Sequence, residues 1–124
     1  MLNPAQTVAI FQRQSNPLKV TPGTTIFEEG QPGTEMYGII EGEVEMIVND
    51  KVVETILKCD VFGEGALVQP EGTRASTAIA KTDCVLAVMN KERFLFAVQQ
   101  TPMFALEVMK SYSDRLRKIK HFLL

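Results

Sequence analysis

The chain has 124 residues, of which 45% are hydrophobic and 23% charged, with a formal net charge of −2. That length supports one domain with one proper core, residues 1–124, and the near-neutral balance gives no electrostatic case for nucleic acid or an anionic membrane. Two cysteines, Cys59 and Cys84, are too few for a disulfide scaffold and point to a reducing compartment, by default the cytoplasm.

In chain order, Asn3-Pro4 reads as a helix start, with a capping side chain followed by proline at the first helical position. The helix is expected to run to about Gln14, with Val8 and Phe11 on one face, until Ser15-Asn16-Pro17 breaks it. The N-terminus lacks the basic start and apolar stretch of a secretory signal. From about Leu18 to Met89 the pattern changes to short strands. All eight glycines lie here, between Gly23 and Gly72, and such spacing punctuates a β-roll or barrel. Val44, Met46 and Val48 alternate with Glu43, Glu45 and a less regular Ile47, as in a half-buried strand. Asn49-Asp50 between two β-branched runs reads as a hairpin turn. The apolar run from Cys84 to Met89 is far too short to span a bilayer.

After Asn90, a further cap, the period becomes helical. One helix carries Phe94 and Val98, and Thr101-Pro102 starts a longer one, so helices span about 91–122. Along the second, Ala105, Met109, Tyr112, Leu116, Ile119 and Leu123 recur at steps of four and three, a coiled-coil-like seam. The expected architecture is α+β: an antiparallel, jelly-roll-like β-roll over 18–89, a short N-terminal helix and two C-terminal helices.

One stretch reads as a ligand pocket. Phe62-Gly63-Glu64-Gly65-Ala66-Leu67 sets a lone carboxylate between glycines, and Thr73-Arg74-Ala75-Ser76-Thr77-Ala78 sets a lone Arg among small and hydroxyl residues. Glycines let backbone N–H groups approach an anion, the Arg fork matches phosphate, and the carboxylate accepts from a hydroxyl. A small anionic ligand with hydroxyls fits this set. Each residue has a plainer reading: Arg74 as a surface Arg, Glu64 as an exposed loop carboxylate. As a pocket residue, Arg74 is expected to be dispensable for folding. No second carboxylate or His lies close to Glu64 in sequence for acid–base work. His121 is the only His, too few for a barrel-type metal site, and it is read as a solvated helix-end residue. The cluster Arg115, Arg117, Lys118, Lys120 is read as cations at a helix C-terminus, with Asp114 paired to Lys118. Cys59 and Cys84 are read as small core residues.

These two motifs resemble the phosphate-binding cassette of the cyclic nucleotide-binding domain family. The resemblance extends through Pro22–Gly30, Gly33–Val44 and Ala80–Met89 and covers nearly the whole chain. It implies that Arg74 pairs with a cyclic phosphate, with Ala75, Ser76 and the backbone of Gly63, Gly65 and Ala66 completing the cradle, and that Glu64 accepts from the ribose 2′-hydroxyl. It implies no cofactor, no metal ligand and no catalytic residue, so the protein is expected not to be an enzyme. In the family the long helix commonly contacts the base; here the candidates are Ile119 and Lys120. Ala75 after the Arg, where cGMP-preferring relatives often carry Thr, leans toward cAMP. The sequence departs from the family pattern at Cys59, where Gly is usual, and at Gly65, where a bulky aliphatic is usual, a change expected to loosen the cassette. Similar transcription regulators carry a helix-turn-helix after this helix; the sequence stops at Leu124, so no DNA-reading element is expected.

The leading expectation is a stand-alone sensor of a cyclic mononucleotide, signalling through its C-terminal helices to an unidentified effector protein, without nucleic acid or membrane. A homodimer through the long helix is expected, unless its seam packs on the chain's own β-roll. The alternative is a degenerate module of the same fold that binds no nucleotide and serves as a dimerisation scaffold.

Overall fold

The computed structural model describes residues 2–12 and 16–123. Helix α1 spans Pro4–Phe11 and is capped as expected: the Asn3 side chain accepts from Gln6 N, and the Gln6 side chain accepts from Asn3 N. It ends earlier than the sequence suggests. Gln12 is already extended, and Arg93 Nε donates to the Phe11 carbonyl at 2.9 Å, satisfying an acceptor the helix would otherwise leave open. The last two residues of the helix expected to reach Gln14 lie outside the described residues.

Among the described residues eight strands follow: β1 Leu18–Val20, β2 Thr25–Phe27, β3 Glu35–Glu41, β4 Val44–Val48, β5 Lys51–Ile56, β6 Val61–Phe62, β7 Thr77–Ala80 and β8 Cys84–Asn90. All pair antiparallel, in two sheets ordered β1-β8-β3-β6 and β2-β7-β4-β5. The β4–β5 turn has positive φ at both Asn49 and Asp50, the combination whose twist matches a two-residue hairpin. A four-residue helix α2, Gly65–Val68, sits between β6 and β7, and α3, Lys91–Gln100, and α4, Met103–Leu123, close the chain. Asn90 caps α3 by accepting from Arg93 N.

The core lies in two layers. Between the sheets are Phe27, Tyr37, Ile39, Val44, Met46, Phe62 and Leu86. On the outer face of the first sheet, Met36, Val61, Ala87 and Met89 meet Val8 of α1, Ala97 of α3 and Phe104 and Val108 of α4. β8 is therefore buried on both faces. That explains its unbroken apolar run: both sets of alternate side chains pack against other elements. Each full burial of a Phe, Leu or Met side chain contributes about 1.5–3 kcal/mol.

The long helix turns a face other than its seam to the roll. The face of α4 that packs on the roll is Phe104, Val108, Ser111 and the half-buried Arg115, not the seam. Met109, Tyr112, Leu116 and Leu123 of the seam are exposed, with Ala105 and Ile119 half-buried. Asp114 pairs with Lys110 at 2.8 Å, not with Lys118. Cys84 is buried as expected, whereas Cys59 is exposed, because it sits in a turn with φ +80, the left-handed region that suits glycine. Among the described residues no helix is long and apolar enough to cross a membrane.

Candidate functional site

The two motifs meet. After β6 the chain turns at Gly63, whose φ of +82 suits glycine; a Cβ there would also lie 3.0 Å from Arg74 Nη1. Glu64 then precedes α2. The strand-like segment carrying Arg74 is tied to the β2–β3 loop: Arg74 N donates to Gln31 O and Gly30 N donates to Arg74 O, both at 2.8 Å. This fixes the Arg74 backbone, so its side chain enters over the core's aromatic floor.

That floor is Phe27, Tyr37 and Phe62, the last two stacked with centroids 5.1 Å apart. The Arg74 guanidinium lies 4.0 Å above the Phe27 ring. Its Nη1 donates to the Gly63 carbonyl and its Nη2 to the Glu35 carbonyl, both at 2.8 Å. Nε is buried with no partner. Arg74 is 6% exposed, so the plain reading of a surface Arg is excluded, and two backbone carbonyls accept from its side chain.

Glu64 is 1% exposed, and neither carboxylate oxygen has a hydrogen-bond partner. Burial pushes its carboxyl above the usual range, and Arg115 pulls partly against that. A buried polar group without a partner typically costs about 1–3 kcal/mol, more for a charge. The nearest cation is Arg115 of α4, with Nη2 3.8 Å from Glu64 Oε1, too far for a hydrogen bond. Arg115 is held elsewhere: Nε donates to Glu54 Oε1 at 3.0 Å and Nη1 to the Val61 carbonyl at 2.7 Å. Ser111, one turn earlier, donates to Asp60.

Tyr112 completes the cover. Its hydroxyl lies 3.2 Å from where a Cβ on Gly65 would stand, and burial together with the Glu64 carboxylate pushes its pKa up to about 12. Gly65 thus serves as the space into which Tyr112 descends; a bulky aliphatic there would displace it. Of the other expected site residues, Ala66 is buried, Gly63, Gly65 and Ser76 are half-buried and Ala75 is exposed. Ile119 is half-buried and Lys120 exposed, one turn beyond Arg115. Two surface clefts, of about 460 and 250 Å3, are lined by other residues, Glu35, Tyr37 and Asn90 in one and Cys59, Asp60 and Ser111 in the other. Glu64 itself is packed under α4.

Sequence reasoning missed Glu54, Ser111, Tyr112 and Arg115 as parts of this site. A signal existed for two of them. Arg115 and Ser111 share the helical face of Phe104 and Val108, at offsets of eleven and seven, so they point at the roll and not at water.

The model of the cyclic nucleotide-binding domain family matches residues 17–101. This chain belongs to that family. Over 104 residues the domain is 32% identical to the Pycsar effector protein XpPycTIR of Xanthomonas perforans, a match covering 84% of this chain and 34% of that protein. Over 78 residues it is 38% identical to the cAMP-dependent protein kinase regulatory subunit of Colletotrichum orbiculare, covering 61% of this chain and 20% of that one. The chain therefore spans about a third of the length of the first of these relatives and a fifth of the second. Among solved structures, the c-di-GMP-responsive global regulator CLP of Xanthomonas campestris superposes with a TM-score of 0.81 over 95% of this chain and 60% of that one, at 21% identity, a likeness of fold alone. The two antiparallel sheets with flanking helices are thus the β-roll of a cyclic nucleotide-binding domain, and the cassette motifs lie inside the matched region.

Proposed function

We propose that this cyclic nucleotide-binding domain is a regulatory sensor that takes cAMP in preference to cGMP, with Arg74 on the cyclic phosphate and Glu64 on the ribose 2′-hydroxyl, and that it performs no catalysis. The observation that carries the reading is Glu64: a buried carboxylate with both oxygens unpartnered. Such groups are rare in folded proteins, and a ligand hydroxyl would supply the missing donor. The orphaned Nε of Arg74 is the matching deficit on the cation side. Both groups share one cassette, and a ribose cyclic phosphate offers a hydroxyl donor and anionic oxygens together.

Binding in this reading is an exchange. Arg74 already spends Nη1 and Nη2 on the Gly63 and Glu35 carbonyls, so the phosphate takes Nε or displaces a carbonyl. Gly63 lies in the cassette itself, which couples ligand arrival to its backbone. Helix α4 stands on the same segment through Arg115, Tyr112 and Ser111, so a change at the cassette shifts the helix population and reaches an effector. Two free thiols fit the expected cytoplasmic location.

Calorimetric titration with cAMP, cGMP and cyclic dinucleotides tests the reading. Saturable heat with cAMP, weaker with cGMP, is expected, in keeping with Ala75 next to Arg74. The engagement of both Arg74 Nη groups by backbone also suits the second reading, a scaffold in which Arg74 is purely structural. Absence of heat and of thermal shift with every nucleotide would establish that one.

The homodimer belongs to the same proposal. Met109, Tyr112 and Leu116 form an exposed stripe continuing to Leu123, more apolar surface than a lone helix ordinarily shows water. Leu116→Glu is expected to convert the protein to a monomer with unchanged β-roll circular dichroism. Light scattering that finds the parent monomeric at tens of micromolar would remove the dimer.

A further inference from the structure

Arg115 is positioned to neutralise Glu64 without touching it. Its three nitrogens divide their work: Nε is taken by Glu54 on the edge strand β5, Nη1 by the Val61 carbonyl and the Ser111 hydroxyl, and only Nη2 faces Glu64, at 3.8 Å. A guanidinium grips a carboxylate most tightly through two parallel N–H groups on one edge. Glu54 takes the Nε of one such edge, and the Val61 carbonyl takes the Nη1 of the other. The Arg115 and Glu54 side chains are both largely buried, 13% and 19% exposed, so their bond is not a screened surface pair. The Tyr112 hydroxyl also stands beside Glu64, whose carboxylate helps to raise its pKa.

We propose that Glu54 is a positioning residue for ligand binding: by holding Arg115 through Nε, it keeps the Glu64 carboxylate free of hydrogen bonds from Arg115 and open to a ligand hydroxyl. This rests on the reading of Glu64 as the ribose acceptor. Without Glu54, the freed Nε can turn with Nη2 onto Glu64 and occupy the lone pairs the hydroxyl needs, while Nη1 keeps the Val61 carbonyl. The ligand would then compete with an intramolecular donor that is always present. Glu54 lies outside both cassette motifs, and no part of the sequence pattern marks it.

The test pairs a ligand-free crystal structure of Glu54→Ala with calorimetry of cAMP and 2′-deoxy-cAMP on parent and variant. Arg115 is expected within hydrogen-bond distance of Glu64 in the variant. Affinity for cAMP is expected to fall about tenfold, while 2′-deoxy-cAMP, which lacks the hydroxyl, binds both proteins alike. Glu54→Gln retains an acceptor for Nε and is expected within about threefold of the parent. An Arg115 that stays at its parental distance from Glu64 overturns the proposal. So does an equal loss for both nucleotides, which would mean that Glu54 acts only on the fold. If the parent binds neither nucleotide, the cyclic nucleotide reading fails by itself, and the variant structure still decides whether Glu54 holds Arg115 away.

Discussion

Arg74→Ala is expected to weaken cAMP binding by roughly 30- to several-thousand-fold, since removing one partner of a desolvated charge pair costs about 2–5 kcal/mol. It is also expected to destabilise the ligand-free domain. The guanidinium is buried on Phe27 and satisfies the Gly63 and Glu35 carbonyls. An alanine leaves both acceptors without their donor, at about 1–3 kcal/mol for each one that water cannot reach. The two effects separate with Arg74→Lys, which keeps the cation but loses the fork. That variant should recover part of the affinity and less of the stability, because one ammonium cannot reproduce two divergent bonds and a stacked plane. Calorimetry reads the first effect and thermal unfolding the second. Parental cAMP affinity in a folded Arg74→Ala protein would show that Arg74 does not contact the phosphate.

That double role marks where the sequence was legible and where it stopped. The roll was legible because its signals are local. Glycines between residues 23 and 72, the Asn49-Asp50 turn and the Asn3 and Asn90 caps each dictate backbone over a few residues, and the strands and helices fall where they require. Glu64 and Arg74 were legible as a pair through the glycines and small residues around them. What the sequence hid was non-local. Whether a regular apolar stripe on α4 packs inward or outward depends on what faces it, and the roll accepts the Phe104–Val108–Ser111–Arg115 face instead of the more apolar seam. Arg115 looked like a cation at a helix end because its partners, Glu54 and Val61, are 61 and 54 residues away. Gly65 looked like a loosened cassette because the Tyr112 ring that uses the space comes from another element.

Glu64→Gln is expected to move stability and affinity in opposite directions. Burial raises the Glu64 carboxyl above its ordinary range, with Arg115 only partly offsetting it. The folded state therefore binds a proton in a window where the unfolded chain has already lost it. Stability from this residue is greatest below the ordinary glutamate range, falls as pH rises through the window up to the raised folded value, and stays low above it. Glutamine carries no charge to desolvate, so the ligand-free variant should be more stable than the parent at neutral pH. The difference should vanish in acid, where Glu64 is itself neutral. The same change should weaken cAMP binding roughly 5- to 30-fold, as a hydrogen bond to a charged acceptor becomes one to a neutral acceptor. Unfolding midpoints across pH, with calorimetry at neutral pH, decide the matter. A variant less stable than the parent at neutral pH would mean that the Glu64 charge is satisfied in the free protein, and that the domain does not hold this carboxylate in reserve for a ligand.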